Sequence, residues 1–258
     1  MKFLGLKAAV TAFIAVSAQA KVLICSDSTT ATWPADSVIQ GWGYYIGDYL
    51  TLPVTNLAKA GRSLRSFINE GRWDTLLKET VAGDYVIIEM GHNDDGNPKN
   101  DTKDRFTLPG TGNDFIVVTN STGQKETVHS FGYYLRGMIA DVKAKKAIPV
   151  VSGMVNRNYW KGSTLQSNWP FAVYAQEVAQ QESVAYVDHT KYSVAAFQAM
   201  GQTKATTYFP EDKTHTSWPG AKINAETFVE ALKCGSGGSG LVKYLNAAGK
   251  AVALTSCK

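Results

Sequence analysis

The sequence predicts an α/β fold in which a parallel sheet is sandwiched between helices. Two observations carry that reading. Short apolar runs bounded by turn residues recur along the chain, each followed by a segment of helical pattern. Several runs are apolar throughout instead of alternating, as expected of strands covered on both faces.

Taken in order, the strands are expected at Val22 to Cys25, Val54 to Leu57, Tyr85 to Met90, Ile148 to Ser152 and Ala185 to Val187. Helices are expected over Trp42 to Leu50, Arg72 to Glu79, Thr127 to Lys146, Trp169 to Glu182, Ser193 to Met200 and Trp218 to Cys234. One connection breaks the rhythm. From Asp94 to Glu126 the chain is rich in Gly, Asn, Asp and Thr, with one strand-like patch, Phe115 to Thr119, before the turn-like "NSTG". A connection this long in a compact domain is usually functional or disordered, and a small hairpin over the site is one form it can take. Its sequons at Asn100 and Asn120 are candidate glycosylation sites, which would hold it at the surface.

Composition narrows the functional class. Residues 1–20, "MKFLGLKAAVTAFIAVSAQA", combine early lysines, an apolar middle and a small-residue ending, the pattern of a secretory signal cleaved before Lys21. The remainder, 21–258, reads as a single domain, secreted and extracellular, with no later run long enough to span a bilayer. Without Lys2 and Lys7 the formal charge falls from +4 to +2, and the basic residues are scattered among acids. That balance argues against a nucleic-acid partner. Of the three cysteines, Cys234 and Cys257 flank "GSGGSG" near the C-terminus and are expected to pair in an oxidising compartment. Cys25, inside an apolar run, reads as a buried small hydrophobe.

In parallel sheets ligands bind beyond the carboxyl ends of the strands, so chemistry should cluster there. "SDST" follows the first strand, "AKAGRS" the second and "GHNDD" the third; "PEDKTHTSWPGA" precedes the last helix. In the last, Asp212 and His215 lie three residues apart, so a turn lets the carboxylate orient the imidazole while the other ring nitrogen takes a proton from a hydroxyl. Ser28, placed after a strand, can attack an acyl carbon while its own N–H helps hold the oxyanion. Gly61 can bring a second backbone N–H close, and Asn93 a side-chain N–H. The other histidines fit less well. His189 adjoins Asp188 in sequence, where side chains point apart, and His129 reads as a surface residue at a helix start. His92 is expected to make a structural or substrate contact, and Trp218, close to His215, is the second substrate-contact candidate.

Four blocks in the order Ser, Gly, Asn, then Asp-x-x-His resemble the SGNH or GDSL hydrolase superfamily. "DSTTA", "GWG", "NLAKAGRSLRSF", "EGRW", "AGDYVIIEMGHND", "AYVDHT" and "YFPEDKTHTSWPGA", with the closing cysteine pair, are similar to the rhamnogalacturonan acetylesterase family across nearly the whole mature chain. The resemblance implies a three-layer α/β/α fold with the flavodoxin-like strand order 2-1-3-4-5, and metal-free, cofactor-free removal of acetyl groups from a pectic polysaccharide by a monomeric enzyme with no membrane partner. It implies Ser28 as nucleophile, His215 as general base and acid, Asp212 as its orienting partner, and Ser28, Gly61 and Asn93 as the oxyanion hole. Two departures stand out: Ser26 occupies a position where the family keeps Gly, and the 94–126 loop lacks a cysteine pair often found there. Other readings are an esterase acting on acetylated xylan or on a lipid, and a carbohydrate-binding relative without turnover whose Trp33, Trp160, Trp169 and Trp218 stack on sugars. Polar segments such as "HNDDGNPKNDTKD" make a poor wall for a long acyl chain, and a pure binder has no need of the Ser, His and Asp set.

Overall fold

In a computed structural model, residues 19–235, 240–255 and 257 are described. Most of the expected leader therefore lies outside the described residues. The elements run β1 (Val22–Ser26), β2 (Val54–Asn56), α1 (Leu64–Asn69), α2 (Arg72–Glu79), β3 (Tyr85–Glu89), β4 (Phe115–Thr119), β5 (Lys125–His129), α3 (Phe131–Ala144) and β6 (Ile148–Ser152). They continue with the short β7 (Trp160–Lys161) and β8 (Thr164–Leu165), then α4 (Pro170–Gln181), β9 (Ala185–Val187), α5 (His189–Met200), α6 (Gln202–Thr206), α7 (Trp218–Cys234) and α8 (Ala247–Ala251).

The five expected strands form one parallel sheet in the order β2-β1-β3-β6-β9, the arrangement the family resemblance implies. Both faces are buried. Leu23, Cys25, Val86, Ile88 and Val151 face a core closed by α1 to α4, whereas Val22, Ile24, Ile87, Val150 and Val187 face one closed by α5 and α7. Helices on both faces make the three layers, and they explain why the strands read as unbroken apolar runs. Cys25 is buried among these side chains, and burial raises its thiol well above the usual range.

Three expectations are corrected. The segment from Trp42 to Leu50 is not one α-helix but two short 3₁₀ turns, Trp42–Tyr44 and Ile46–Tyr49. Glycines at 41, 43 and 47 weaken helical propensity there, and Gly43 lies so close to the chain after β1 that a Cβ would meet the Thr30 carbonyl oxygen at 2.5 Å. The segment from Thr127 to Lys146 is helical only from Phe131, because Lys125–His129 pairs antiparallel with β4. Ser130 ends that strand and caps α3, its hydroxyl accepting from the Tyr133 N–H at 3.1 Å. α5 begins at His189 rather than Ser193, with the Asp188 carboxylate accepting from Lys191 N–H at 3.2 Å. α1 went unread in the sequence because it is short; the reciprocal hydrogen bonds of Ser63 and Ser66 start it.

The long connection is held down by charge. Arg65 of α1 is fully buried and grips Glu126 of β5 through two guanidinium nitrogens, Nε at 2.7 Å and Nη2 at 2.5 Å, and reaches Asp101 with Nη1 at 3.3 Å. Asp101 in turn accepts from the backbone N–H groups of Arg105 and Phe106. The sequons lie on this segment, Asn100 exposed and Asn120 half-buried.

Cys234 and Cys257 are joined, closing 23 residues of chain. Replacing both by serine is expected to lower stability by about 3 kcal/mol, through the freedom restored to the unfolded chain. A urea unfolding curve with its midpoint shifted down and its slope little changed is the expected result.

Candidate active site

The carboxyl ends of β1, β3 and β6 lie in register, pairing Ser26 with Glu89 and Glu89 with Ser152. This row is polar and closed to solvent. The Ser26 hydroxyl donates to the Glu89 carbonyl at 2.6 Å and lies 2.6 Å from the Thr30 hydroxyl. The Glu89 carboxylate accepts from the Trp42 indole at 2.9 Å and the Ser152 hydroxyl at 2.6 Å, and pairs with His189 Nδ1 at 2.8 Å. His189 is thus a buried strut, its other ring nitrogen 2.8 Å from the Asn224 carbonyl. Ser26 is likewise fully occupied with holding β1 to β3.

Ser28 stands one step beyond. The chain turns immediately after β1, with the Thr30 and Ala31 N–H groups donating to the Asp27 carbonyl at 3.3 and 3.0 Å. That turn delivers the Ser28 hydroxyl to His215 Nε2 at 2.8 Å, and His215 Nδ1 lies 2.6 Å from the Asp212 carboxylate. The second Asp212 oxygen accepts from the Thr214 and His215 backbone N–H groups, both at 2.7 Å. Desolvation pushes the Asp212 carboxyl upward, but these two N–H groups and the His215 ring more than offset it and hold it below the usual carboxylate range. Asp212 is 46% exposed at its side chain, so its orientation rests on those hydrogen bonds and not on enclosure.

Gln40 fixes the separation between the two halves. Its side-chain amide bonds the Trp33 N–H at 2.9 Å and the Trp33 carbonyl at 3.3 Å, while its own N–H donates to the Thr216 carbonyl at 2.8 Å. The segment after Ser28 and the segment after His215 are thereby tied through one residue. Trp33 completes the wall. Its indole N–H donates to the Ser28 carbonyl at 3.0 Å, and its ring meets His215 edge-on with centroids 6.0 Å apart.

Gly61 and Asn93 follow the strands on either side of β1, and they adjoin each other. The Asn93 side-chain N–H₂ donates to the Arg62 carbonyl at 3.1 Å, leaving its second hydrogen for another acceptor. Gly61 has φ +78°, a conformation that glycine adopts without strain. Among the described residues, the Ser28 and Gly61 backbone N–H groups have no acceptor within the protein. Each of these three groups, following β1, β2 and β3, thus keeps a hydrogen to donate.

Of the two substrate-contact candidates, His92 makes the structural contact and Trp218 is half-buried among aromatic rings. His92 is buried, with Nδ1 3.1 Å from the Asp27 carboxylate and Nε2 3.0 Å from the Val155 carbonyl, so both ring nitrogens are engaged inside the protein. Burial favours the neutral form of Asp27, but the charge and hydrogen bond of His92 and the two bonds from Thr29 outweigh it and lower its carboxyl. Trp218 donates to the Ser37 carbonyl at 2.7 Å and packs edge-on against Tyr44 and Tyr45. The tryptophan beside His215 is Trp33, five residues after Ser28. That spacing is the one signal in the sequence that singles it out from Trp160 and Trp169. Removing His92 by a His92→Ala change leaves a buried carboxylate without its partner, and a loss of about 3–5 kcal/mol of stability is expected. Urea unfolding measures it; a raised KM with unchanged stability would contradict the structural role.

Comparison with known proteins places this geometry. The model of the GDSL-like lipase/acylhydrolase family matches residues 27–223. A rhamnogalacturonan acetylesterase of Emericella nidulans is 37% identical, the match covering 83% of this chain and 84% of the relative. A probable rhamnogalacturonan acetylesterase of Bacillus subtilis, YesY, is 27% identical over 82% of this chain and 92% of its own length. Among solved structures, the Bacillus subtilis protein YxiM aligns with a TM-score of 0.68 at 25% identity over 86% of this chain, which spans 58% of that structure's length. With a family match across most of the domain and a serine, a histidine and an aspartate in one hydrogen-bonded line, the chain belongs to the GDSL-like lipase/acylhydrolase family and is a carboxylic ester hydrolase.

Proposed function

We propose that the protein is a secreted carbohydrate esterase that removes O-acetyl groups from a pectic polysaccharide, rhamnogalacturonan, through an acetyl-enzyme on Ser28. The observation that carries the mechanism is the unbroken line from the Ser28 hydroxyl through His215 to Asp212. The names of the relatives support the substrate class.

The chemistry follows from the geometry. His215 Nε2 takes the Ser28 proton as the oxygen attacks the acetyl carbonyl carbon, and Asp212 holds the ring with Nδ1–H toward its carboxylate. The carbonyl oxygen becomes an oxyanion, met by the Ser28 and Gly61 backbone N–H groups and the free Asn93 amide hydrogen. Collapse breaks the ester bond, and His215 gives its proton to the departing sugar oxygen, leaving Ser28 acetylated. Water then loses a proton to His215 as it attacks the acetyl carbon. Acetate departs and the proton returns to Ser28. Trp33, beside His215 and partly exposed, presents an aromatic face suited to a sugar ring.

Acetate release from acetylated rhamnogalacturonan is expected to fall at least about 1,000-fold in Ser28→Ala and to stay within about threefold of wild type in Ser26→Gly. Undiminished turnover by Ser28→Ala sinks the mechanism, and a preference for long acyl esters or acetylated xylan redirects the substrate assignment.

A further inference from the structure

Arg105 lies in the long 94–126 connection, outside every block that the sequence marks for chemistry. Its side chain nevertheless ends at the site. One guanidinium nitrogen donates to the Asn93 side-chain oxygen at 3.1 Å and to the Gly61 carbonyl at 3.2 Å. We propose that Arg105 is a positioning residue for ester hydrolysis, which sets the Asn93 amide and the Gly61 turn in the geometry that receives the oxyanion. The proposal rests on the assignment of Ser28, Gly61 and Asn93 given above.

The donor and acceptor chemistry leaves one orientation for Asn93. A guanidinium only donates, so the atom facing Arg105 must be the amide oxygen; the Arg62 carbonyl only accepts, so the atom facing it must be the amide nitrogen. The two contacts agree. Without Arg105 the amide can turn over, and its oxygen then faces the developing negative charge. At Gly61 the same guanidinium nitrogen occupies the space beside the α-carbon, and a Cβ built there would lie 3.3 Å from it. Arg105 therefore braces the glycine as well as the asparagine.

The mount for this arginine is the buried charge cluster described above. The Arg105 backbone N–H donates to Asp101, which contacts Arg65, which is bound to Glu126. The long connection thus reaches the site through one side chain whose base is fastened to α1. Asp94, which opens the connection, accepts from the Leu64 N–H at 3.1 Å at the start of that helix.

The test is a double-mutant cycle on a small acetate ester, with Arg105→Ala, Arg105→Lys and Asn93→Ala alone and combined. Arg105→Ala is expected to lower kcat about 10- to 100-fold with KM within about twofold, since a misplaced donor costs transition-state and not ground-state binding. Arg105→Lys, which keeps a charged donor, recovers part of the loss. In the Asn93→Ala background the Arg105→Ala change costs clearly less than in wild type, because the part of its action that runs through Asn93 is gone and only the bracing of Gly61 remains. Thermal melting of Arg105→Ala within a few degrees of wild type separates this from unfolding; if that variant melts early, Arg105→Lys in the two backgrounds gives the same reading. Additive losses, or a loss carried by KM alone, overturn the positioning role while leaving the oxyanion assignment intact. An Asn93→Ala enzyme with wild-type kcat overturns both.

Discussion

The row of strand ends beneath the site depends on how the carboxyl group of Glu89 is satisfied. A carboxyl group at the end of a central strand, 1% exposed, is costly to bury without hydrogen bonds. Here it draws in Trp42 from the first 3₁₀ turn, Ser152 from β6 and His189 from α5, while the carbonyl of the same residue takes the Ser26 hydroxyl from β1. Three strands, one turn and one helix are thereby held at a single point immediately below Ser28. The position of Ser28 is inherited from that point. Ser26, which stands where relatives in the resembled family keep glycine, belongs to this foundation and adds a strand-to-strand bond that glycine cannot make.

Above the foundation the site divides into parts that are positioned by different forces. Backbone hydrogen bonding within the sheet sets Ser28, Gly61 and Asn93, since each follows a strand and the strands are in register. Side-chain hydrogen bonding sets Asp212 and His215, which lie in a loop with no sheet to guide them. The exposed carboxylate of Asp212 keeps its place because two backbone N–H groups grip one oxygen and leave the other for the imidazole. Charge pairing in a buried setting holds the long connection, through Arg65. Each mechanism suits the local degree of burial.

The fold was legible because it is written in short local patterns. The five sheet strands stand out as apolar runs, and Arg72–Glu79 and Trp218–Cys234 coincide with the helices expected there. Errors arose where a tertiary contact overrides propensity: β5 looks helical on its own and becomes a strand because β4 lies beside it. The Ser28, His215 and Asp212 line was readable because Asp212 and His215 share one turn and Ser28 follows a strand. Arg105 and Gln40 were not, since each contributes through bonds to segments it does not adjoin, and Trp33 was not, since its ring's place beside His215 is set by the fold. Which of its two expected contacts His92 makes was unreadable for a related reason: proximity in sequence to Asn93 does not reveal that its ring turns inward to Asp27.

The Gln40 bridge has a consequence for how such a chain can change. The hydroxyl and the imidazole are 187 residues apart in sequence, yet the gap between them is spanned by one residue, which bonds the Trp33 segment through its side chain and the Thr216 segment through its backbone N–H. Loop-closure cost grows only slowly with length. Surface connections between residues 41 and 211 can therefore lengthen or shorten without altering the distance across which the proton moves. Drift in loop length and a constant Ser28–His215 spacing are compatible in this architecture, because the ruler between the two segments is a single residue and not the length of chain that separates them.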